Sequence, residues 1–552
     1  MKNYIQTHKN LLLFLSGLIV FTVLNILSAS TMGLHYDETY YWLFSKHLAL
    51  GYFDHPPMVA WLIWSGTKIF NNELGIRLLT ILISSASMVI LWLLLNPHKD
   101  KPLLFWALVC SIVLIHPYSF IATPDAPLFF FTSLFLYILK KYIEKPQLSN
   151  SLFLALVCAA MLYSKYHAIL IIGSMLILNL KLLKSKYFWF YATGLLILML
   201  PHFIWQYHNN FPSFYYHLID SHGTNYNPLI TLEYIASQFL VFGPFSTWLL
   251  FAFAFGFRPA NSFDKTTKWS AWFVLLFFLL STFGGDYEAH WTLIATPSLM
   301  YVSFEMLKKK SKWKKYILIA GSINFVVLIL VRILVITPAA DRIKALSLFR
   351  GWETDTQILL EASNNHPIVF QDCWNYAARF AWYAKNPNVT TLNSGMHRNN
   401  QFDIWDKDED LNGQTVVLAA RDSLHLENTQ AIVTNKGTWY IKTIENFKSY
   451  YNLHFKVIDY TIDNGVHVKF SIYNPYQYAV DLYKNDTKLQ LVIRKQKWEM
   501  LAEIPLEEIH IDSKSAITID TTIDYTGEII AETYLMLKVG ELHPLPAKYL
   551  IK

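Results

Sequence analysis

Five short stretches hold residue types that can move protons or hold an anion. They are "HYDETYY" (His35–Tyr41), "YFDHPP" (Tyr52–Pro57), "TPDAP" (Thr123–Pro127), "SKYH" (Ser164–His167) and "EAHWT" (Glu288–Thr292). The candidates are the adjacent carboxylates Asp37 and Glu38 with Tyr41, then Asp54 and His55, Asp125 between two prolines, Lys165, and Glu288 with His290. A carboxylate suits the removal of a proton, and lysine and histidine suit contact with an anion. Asp37 and Glu38 cannot point the same way on a helix or a strand, so the pair divides its work. If Asp37 faces the chemistry, Glu38 orients the loop or faces a second substrate.

Each residue also has a purely structural reading. Asp37 can cap a helix that begins at Glu38, and Asp125 can cap the apolar run that follows it. Asp54 can close an Asx-turn before His-Pro-Pro. Lys165 can snorkel to an interface, and Tyr40, Tyr41 and Trp42 can form an aromatic belt. Glu288 and His290, two residues apart, do not share a helical face as metal ligands would. The histidines at 202, 208, 217 and 222 show no ligand-like spacing and read as structural. These readings must hold separately at every position, whereas one shared site explains all of them.

The elements that must position these residues are membrane helices. Of 552 residues 53% are hydrophobic and only 16% charged, well under the usual share for a soluble domain. Uncharged or nearly uncharged runs occur at 11–28, 78–95, 103–123, 126–139, 148–163, 166–180, 187–207, 234–257, 269–285, 289–304 and 316–331. They predict about eleven transmembrane helices. The first run is read as a retained helix, because no small-x-small cleavage site and polar mature start follow it.

With the N-terminus in the cytoplasm, that side receives nineteen Lys and Arg, ending in "KKKSKWKK" (Lys308–Lys315). The opposite loops before residue 331 hold only Lys46, Lys68, Arg77 and Lys165. This asymmetry predicts a multi-pass protein with a cytoplasmic N-terminus, and it places all five stretches on the external face with the C-terminal region. The formal charge of +6 is then topological, and no nucleic-acid partner is needed. Three cysteines, Cys110, Cys158 and Cys373, make neither a disulfide framework nor a CxxC metal motif.

After residue 338 polar residues return. "PIVFQDC" (Pro367–Cys373) and "QTVVLAA" (Gln414–Ala420) read as strands and "WNYAARFAWYAK" (Trp374–Lys385) as a helix, giving an external α/β domain over 338–450. "HVKFSIY" (His467–Tyr473) and "AITIDTTIDY" (Ala516–Tyr525) alternate as β, giving a β-rich tail over 451–552. The expected architecture is a mainly α membrane protein over 1–337 followed by these two parts.

The five stretches, with "HRNNQFDIW" (His397–Trp405), resemble the GT-C class of polyprenyl-phosphate-sugar-dependent glycosyltransferases. Nearest are bacterial members related to protein O-mannosyltransferases and lipid A aminoarabinose transferases. The resemblance runs in order over about residues 30–405. It implies an enzyme of the bacterial inner membrane that moves a sugar from a lipid phosphate to an acceptor hydroxyl on the external face, with inversion. Asp37 matches the family's catalytic acid and Asp125 a second important acid. Glu38, Tyr41, Asp54, His55, Lys165, Glu288 and His290 fall to substrate binding. The implied partners are a polyprenyl-phosphate sugar, a glycan, lipid or protein acceptor, and membrane lipids. His55 stands where the aminoarabinose branch has lysine, which argues against that sugar. No cofactor is expected; a divalent ion around Asp37, Asp54 and Glu288 is the metal-assisted variant. The competing class is a lipid-linked sugar flippase, which needs the anion-binding mouth without a base.

Overall fold

The computed structural model describes residues 2–95, 100–220, 226–284, 287–405, 409–421, 429–484, 486–494, 498–527, 529, 532–540, 544–545 and 548–551. Lys99, His222, Gly285 and Asp286 lie outside the described residues. The chain divides into two compact units, Met1–Arg350 and Gly351–Lys552.

The first unit is helical: α1 (Lys2–Thr31), α2 (Tyr36–Lys46), α3 (Met58–Thr67), α4 (Glu73–Leu95), α5 (Pro102–Ser111), α6 (Asp125–Glu144), α7 (Leu148–Ser164), α8 (Ala168–Leu178), α9 (Lys186–His208), α10 (Pro212–Tyr215), α11 (Pro228–Val241), α12 (Thr247–Gly256), α13 (Ser262–Ser281), α14 (Thr296–Lys309), α15 (Ser311–Val335) and α16 (Lys344–Ser347). Among the described residues six stretches are long and apolar enough to cross a membrane: His8–Thr31, Glu73–Leu95, Asp125–Glu144, Lys186–His208, Ser262–Gly284 and Lys312–Val335. Leu12, Ile19, Trp189, Leu196 and Leu330 stay exposed on three of them, as lipid-facing side chains do. The protein is a multi-pass membrane protein.

The remaining runs form shorter or broken helices, and their breaks have physical causes. The run 103–123 bends by 86° between Pro102–Ser111 and Val113–Ser119, where Ile112 turns extended ahead of Pro117. The bend frees the Ser111 carbonyl, which accepts from Ser246 Oγ at 2.7 Å and Asn324 Nδ2 at 2.8 Å. Irregular backbone at this depth survives only when such partners re-satisfy it. The run 234–257 parts between α11 and α12 at Gly243, whose φ is 99°. A Cβ there would lie 2.1 Å from the Ser111 carbonyl oxygen, so only glycine fits.

In the second unit α17 (Trp352–Ala362) and α18 (Trp374–Tyr383) accompany β1 (Ile368–Gln371), β2 (Thr390–Leu392), β3 (Val416–Ala420), β4 (Gln430–Thr434) and β5 (Gly437–Ile444). The sheet order is β2-β1-β3-β5-β4; β1 runs parallel to β2 and β3, and the other pairs are antiparallel. The helix α19 (Gln401–Trp405) lies between β2 and β3 in sequence.

The rest is β: β6 (His454–Ile462), β7 (Val466–Tyr473), β8 (Val480–Leu482), β9 (Thr487–Arg494), β10 (Trp498–Pro505), β11 (Ile509–Ile511), β12 (Ala516–Ile523), β13 (Thr533–Val539) and β14 (Lys548–Ile551). They form sheets β12-β7-β6, β10-β9-β13-β14 and β11-β8. Val466, Val468, Phe470 and Ile472 alternate inward on β7 and join Leu489, Leu491, Leu535 and Leu537 in one core.

Candidate active site

The short helix α2 follows the first apolar helix after a tight, extended link, and its start is fixed reciprocally. His35 is the N-cap: its Nδ1 accepts from the Asp37 N–H at 3.4 Å, and Glu38 Oε2 accepts from the His35 N–H at 2.9 Å. This capping-box arrangement satisfies donors that a helix start otherwise leaves open. The cap is therefore His35, not Asp37.

Glu38 is sealed. Arg77 of α4 donates from Nε to Oε1 at 2.7 Å and from Nη2 to Oε2 at 2.6 Å, and the Ala122 N–H donates to Oε1 at 2.9 Å. Both side chains are wholly buried. The other Arg77 donors reach the carbonyls of Ala29 at 3.2 Å, Met32 at 2.7 Å and Gly33 at 2.8 Å. All five guanidinium donors are thus used. The pair ties α2, the end of α1, α4 and the segment before α6 together. Of the two roles open to Glu38, the geometry favours orienting the loop, with no free oxygen for a substrate.

Asp37 points elsewhere. Its side chain is 32% exposed and lies 3.3 Å from His35 Nδ1. Enclosure by the protein pushes its carboxyl up, but the neighbouring His35, helped by His55 and His290, outweighs this and holds it below the usual carboxylate range. Asp37 is therefore an ionised, reachable carboxylate at neutral pH.

The second acid has a cation of its own. Asp125 opens α6, caps nothing with its side chain, and receives Lys165 Nζ at 2.9 Å on both oxygens. The side chains are 4% and 7% exposed, so the capping and snorkelling readings both give way to a buried ion pair. His290 Nε2 lies 3.6 Å from Asp125 Oδ2, and its Nδ1 lies 3.9 Å from Glu288 Oε2. The His290 ring stacks on Tyr118 at 5.2 Å between centroids.

The rest of the first loop is braced from beneath. Tyr52 stacks on Phe44 at 4.0 Å and donates to the Phe44 carbonyl at 3.0 Å. The His55 ring meets Tyr41 edge-on at 5.4 Å. His217 donates to the Asp54 carbonyl at 3.0 Å, and His202 Nδ1 donates to the Leu50 carbonyl at 2.7 Å. These two histidines are structural, as their spacing suggests. Burial pushes the His55 imidazole down to about 4, with Lys165 acting in the same sense and Asp54 opposing. Burial and the charges of Asp37, Asp54 and Asp125 push the Tyr41 phenol far up, so it stays a donor.

Asp125, Lys165, His290 and Glu288 are thus brought into contact, and Asp37, Tyr41, Asp54 and His55 share one electrostatic neighbourhood with them. Sequence reading missed the partnering of Arg77, His35 and Tyr118. A lone arginine just before an uncharged run was a usable signal for the first; Tyr118, inside an apolar run, offered none. Among the described residues no three His, Cys, Asp or Glu side chains are grouped as a metal site.

Comparison with known proteins agrees with this architecture. The family model for dolichyl-phosphate-mannose-protein mannosyltransferase matches residues 54–205, the segment with Asp54, His55, Asp125 and Lys165. The lipid A galacturonosyltransferase RgtD of Rhizobium johnstonii is 42% identical over 57 residues, 10% of this chain and 12% of that protein's length. The chain therefore spans about an eighth of that relative. ArnT from Cupriavidus metallidurans in the apo state matches with a TM-score of 0.57 at 13% identity, covering 78% of this chain and 97% of that one. Its undecaprenyl-phosphate-bound structure gives 0.56 at 14% with the same coverage. The protein has the fold of the GT-C class of membrane glycosyltransferases. It is similar to ArnT in fold and, over residues 54–205, to the protein mannosyltransferase family in sequence.

Proposed function

We propose that the protein transfers a hexosyl or pentosyl group from a polyprenyl-phosphate donor to a hydroxyl of a glycan, lipid or protein acceptor on the external face of the inner membrane, with inversion. The observation that carries this is the division of labour in the first loop. Glu38 is locked by Arg77, while Asp37 is ionised, reachable and beside the Asp125–Lys165–His290 group.

Asp37 takes the proton from the acceptor hydroxyl as that oxygen attacks the sugar carbon. The bond from that carbon to the phosphate oxygen breaks, and the electron pair leaves with the lipid phosphate. Two of the three Lys165 ammonium protons point to Asp125, leaving one donor for a phosphate oxygen. His55, neutral near pH 7, and Tyr41 add uncharged donors. The lipid carrier is supported by fold similarity to an ArnT structure holding undecaprenyl phosphate.

Single-turnover transfer from a synthetic polyprenyl-phosphate sugar to a lipid or glycan acceptor, by purified protein with and without chelator, tests the reading. Donor binding with no transfer under any acceptor would instead identify a lipid-linked sugar carrier. Loss of transfer on chelation would replace the metal-free step.

A further inference from the structure

A second feature of the membrane unit lies apart from the carboxylate mouth. A groove of about 480 Å³ opens between α1, α5 and α15, walled by side chains such as Val20, Trp106, Leu318 and Phe325. Its size is in the range of small-molecule and lipid pockets. At the end away from the Lys308–Lys315 run it reaches Arg332, in the last turn of α15, together with Asn25 and His116.

The polar end holds a guanidinium and a side-chain amide. Arg332 donates to neutral acceptors: the Leu24 carbonyl at 2.9 Å, Ser28 Oγ at 2.5 Å, Asn25 Oδ1 at 2.8 Å and the His116 carbonyl at 3.4 Å. None of these neutralises its charge. Asn25 Oδ1 also accepts from Ser119 Oγ at 3.0 Å, which fixes the amide and turns Nδ2 away. Asn25 Nδ2 and His116 Nε2 are buried without a hydrogen-bond partner, on side chains 0% and 6% exposed. A buried donor left open, as Asn25 Nδ2 is, costs roughly 1–3 kcal/mol, and Arg332 sits in the last turn of α15, at the level where a lipid headgroup begins.

We propose that this groove binds an anionic phospholipid, with one acyl chain along α1 and α15 and its phosphate at Arg332 and Asn25. The occupant follows from charge and setting. The groove lies in membrane-spanning helices, its walls are apolar, and its end offers a cation with no acidic partner among the described residues and one open amide donor, Asn25 Nδ2, to an acceptor-only group. A zwitterionic lipid would bring its own cation to the same place. Phe120 carries the site toward the first loop: its ring lies 4.9 Å from the Arg332 guanidinium and 5.7 Å from that of Arg77.

The test is native mass spectrometry of the full-length protein in mild detergent, titrated with phosphatidylglycerol or phosphatidylcholine. Wild-type protein should retain one phosphatidylglycerol about fivefold or more better than phosphatidylcholine. Ser322→Trp fills the groove wall and leaves the Arg332 contacts untouched; it should lose that retention while unfolding at the wild-type temperature. Arg332→Gln should lose the headgroup preference, and Arg332→Lys should keep part of it. Equal retention of the two lipids, or unchanged retention in both Ser322→Trp and Arg332→Gln, would make Arg332 a helix staple and overturn the proposal. Displacement of the phospholipid by stoichiometric polyprenyl phosphate would also overturn it, because the groove would then belong to the donor.

Discussion

Lys165 Nζ lies 2.9 Å from each carboxylate oxygen of Asp125, although the two residues come from different helix ends and both side chains are almost fully buried. A buried ion pair adds little over an apolar replacement, but breaking it from one side leaves an uncompensated charge. Lys165→Ala should therefore lower stability by about 3–5 kcal/mol. The double variant Asp125→Asn with Lys165→Met should recover much of that loss. Unfolding temperatures of the three proteins in one detergent check this. Simple additivity of the single effects would show that the two side chains do not act as a unit.

The Glu38–Arg77 pair leads to a different expectation. Glu38 accepts four hydrogen bonds and Arg77 donates in five directions. A lysine at 77 keeps the charge but not the fork, so Arg77→Lys should behave like Arg77→Ala and cost about 3–5 kcal/mol. Glu38→Gln puts an amide N–H₂ among donors and should destabilise α2, the helix that presents Asp37. The readout is yield and unfolding temperature in detergent. A Glu38→Gln protein as stable as wild type but slow in transfer would return Glu38 to substrate contact.

How far these relationships could be read beforehand depended on whether they were local. Asp37, Asp125 and Lys165 stand out because each is a charge beside an apolar run. The alternation of Val466, Val468, Phe470 and Ile472 announces β7 just as plainly. Pairing across the fold leaves no local trace: Lys165 and Asp125 meet only because the N-terminus of α6 and the C-terminus of α7 share one end of an antiparallel pair. Breaks within a span are hidden for a related reason. A run broken inside the protein, as at Ser111, has the same hydropathy as an unbroken one, because distant Ser246 and Asn324 supply the missing hydrogen bonds.

The acid limb of the pH profile should report His35. Asp37 is held below the ordinary carboxylate value, with its own enclosure opposed by the adjacent His35 ring. As a group with a lowered folded value, it stays ionised down to that value. Transfer should therefore fall only as the pH drops below the ordinary carboxylate range. His35→Ala removes the opposing contact and should move the acid limb upward. Its N-cap contact is lost as well, at about 1 kcal/mol. His55, pushed down to about 4, adds no limb between pH 5 and 8. Initial rates of both proteins from pH 3.5 to 8, with refolding checked at each pH, decide the matter. An unmoved limb in His35→Ala would separate His35 from Asp37.

The sharpest test falls on Asp37 itself. Its carboxylate is the reachable member of the adjacent pair, and Asn has nearly the same shape with no basicity. Asp37→Asn should leave α2 in place, because the cap depends on His35 and the sealed contacts depend on Glu38 and Arg77. General-base contributions are about 10²–10⁴-fold, and an unactivated hydroxyl nucleophile belongs toward the upper end. Transfer should therefore nearly vanish, while binding of the polyprenyl-phosphate sugar and the unfolding temperature stay at wild-type values. Single-turnover rates measured beside donor binding separate the chemical step from recognition. An Asp37→Asn protein that keeps more than about a tenth of the wild-type rate would fall below that range and remove Asp37 as base. Asp125, already neutralised by Lys165, would be a poor substitute, so such a result would point to a water or a substrate group as the proton acceptor.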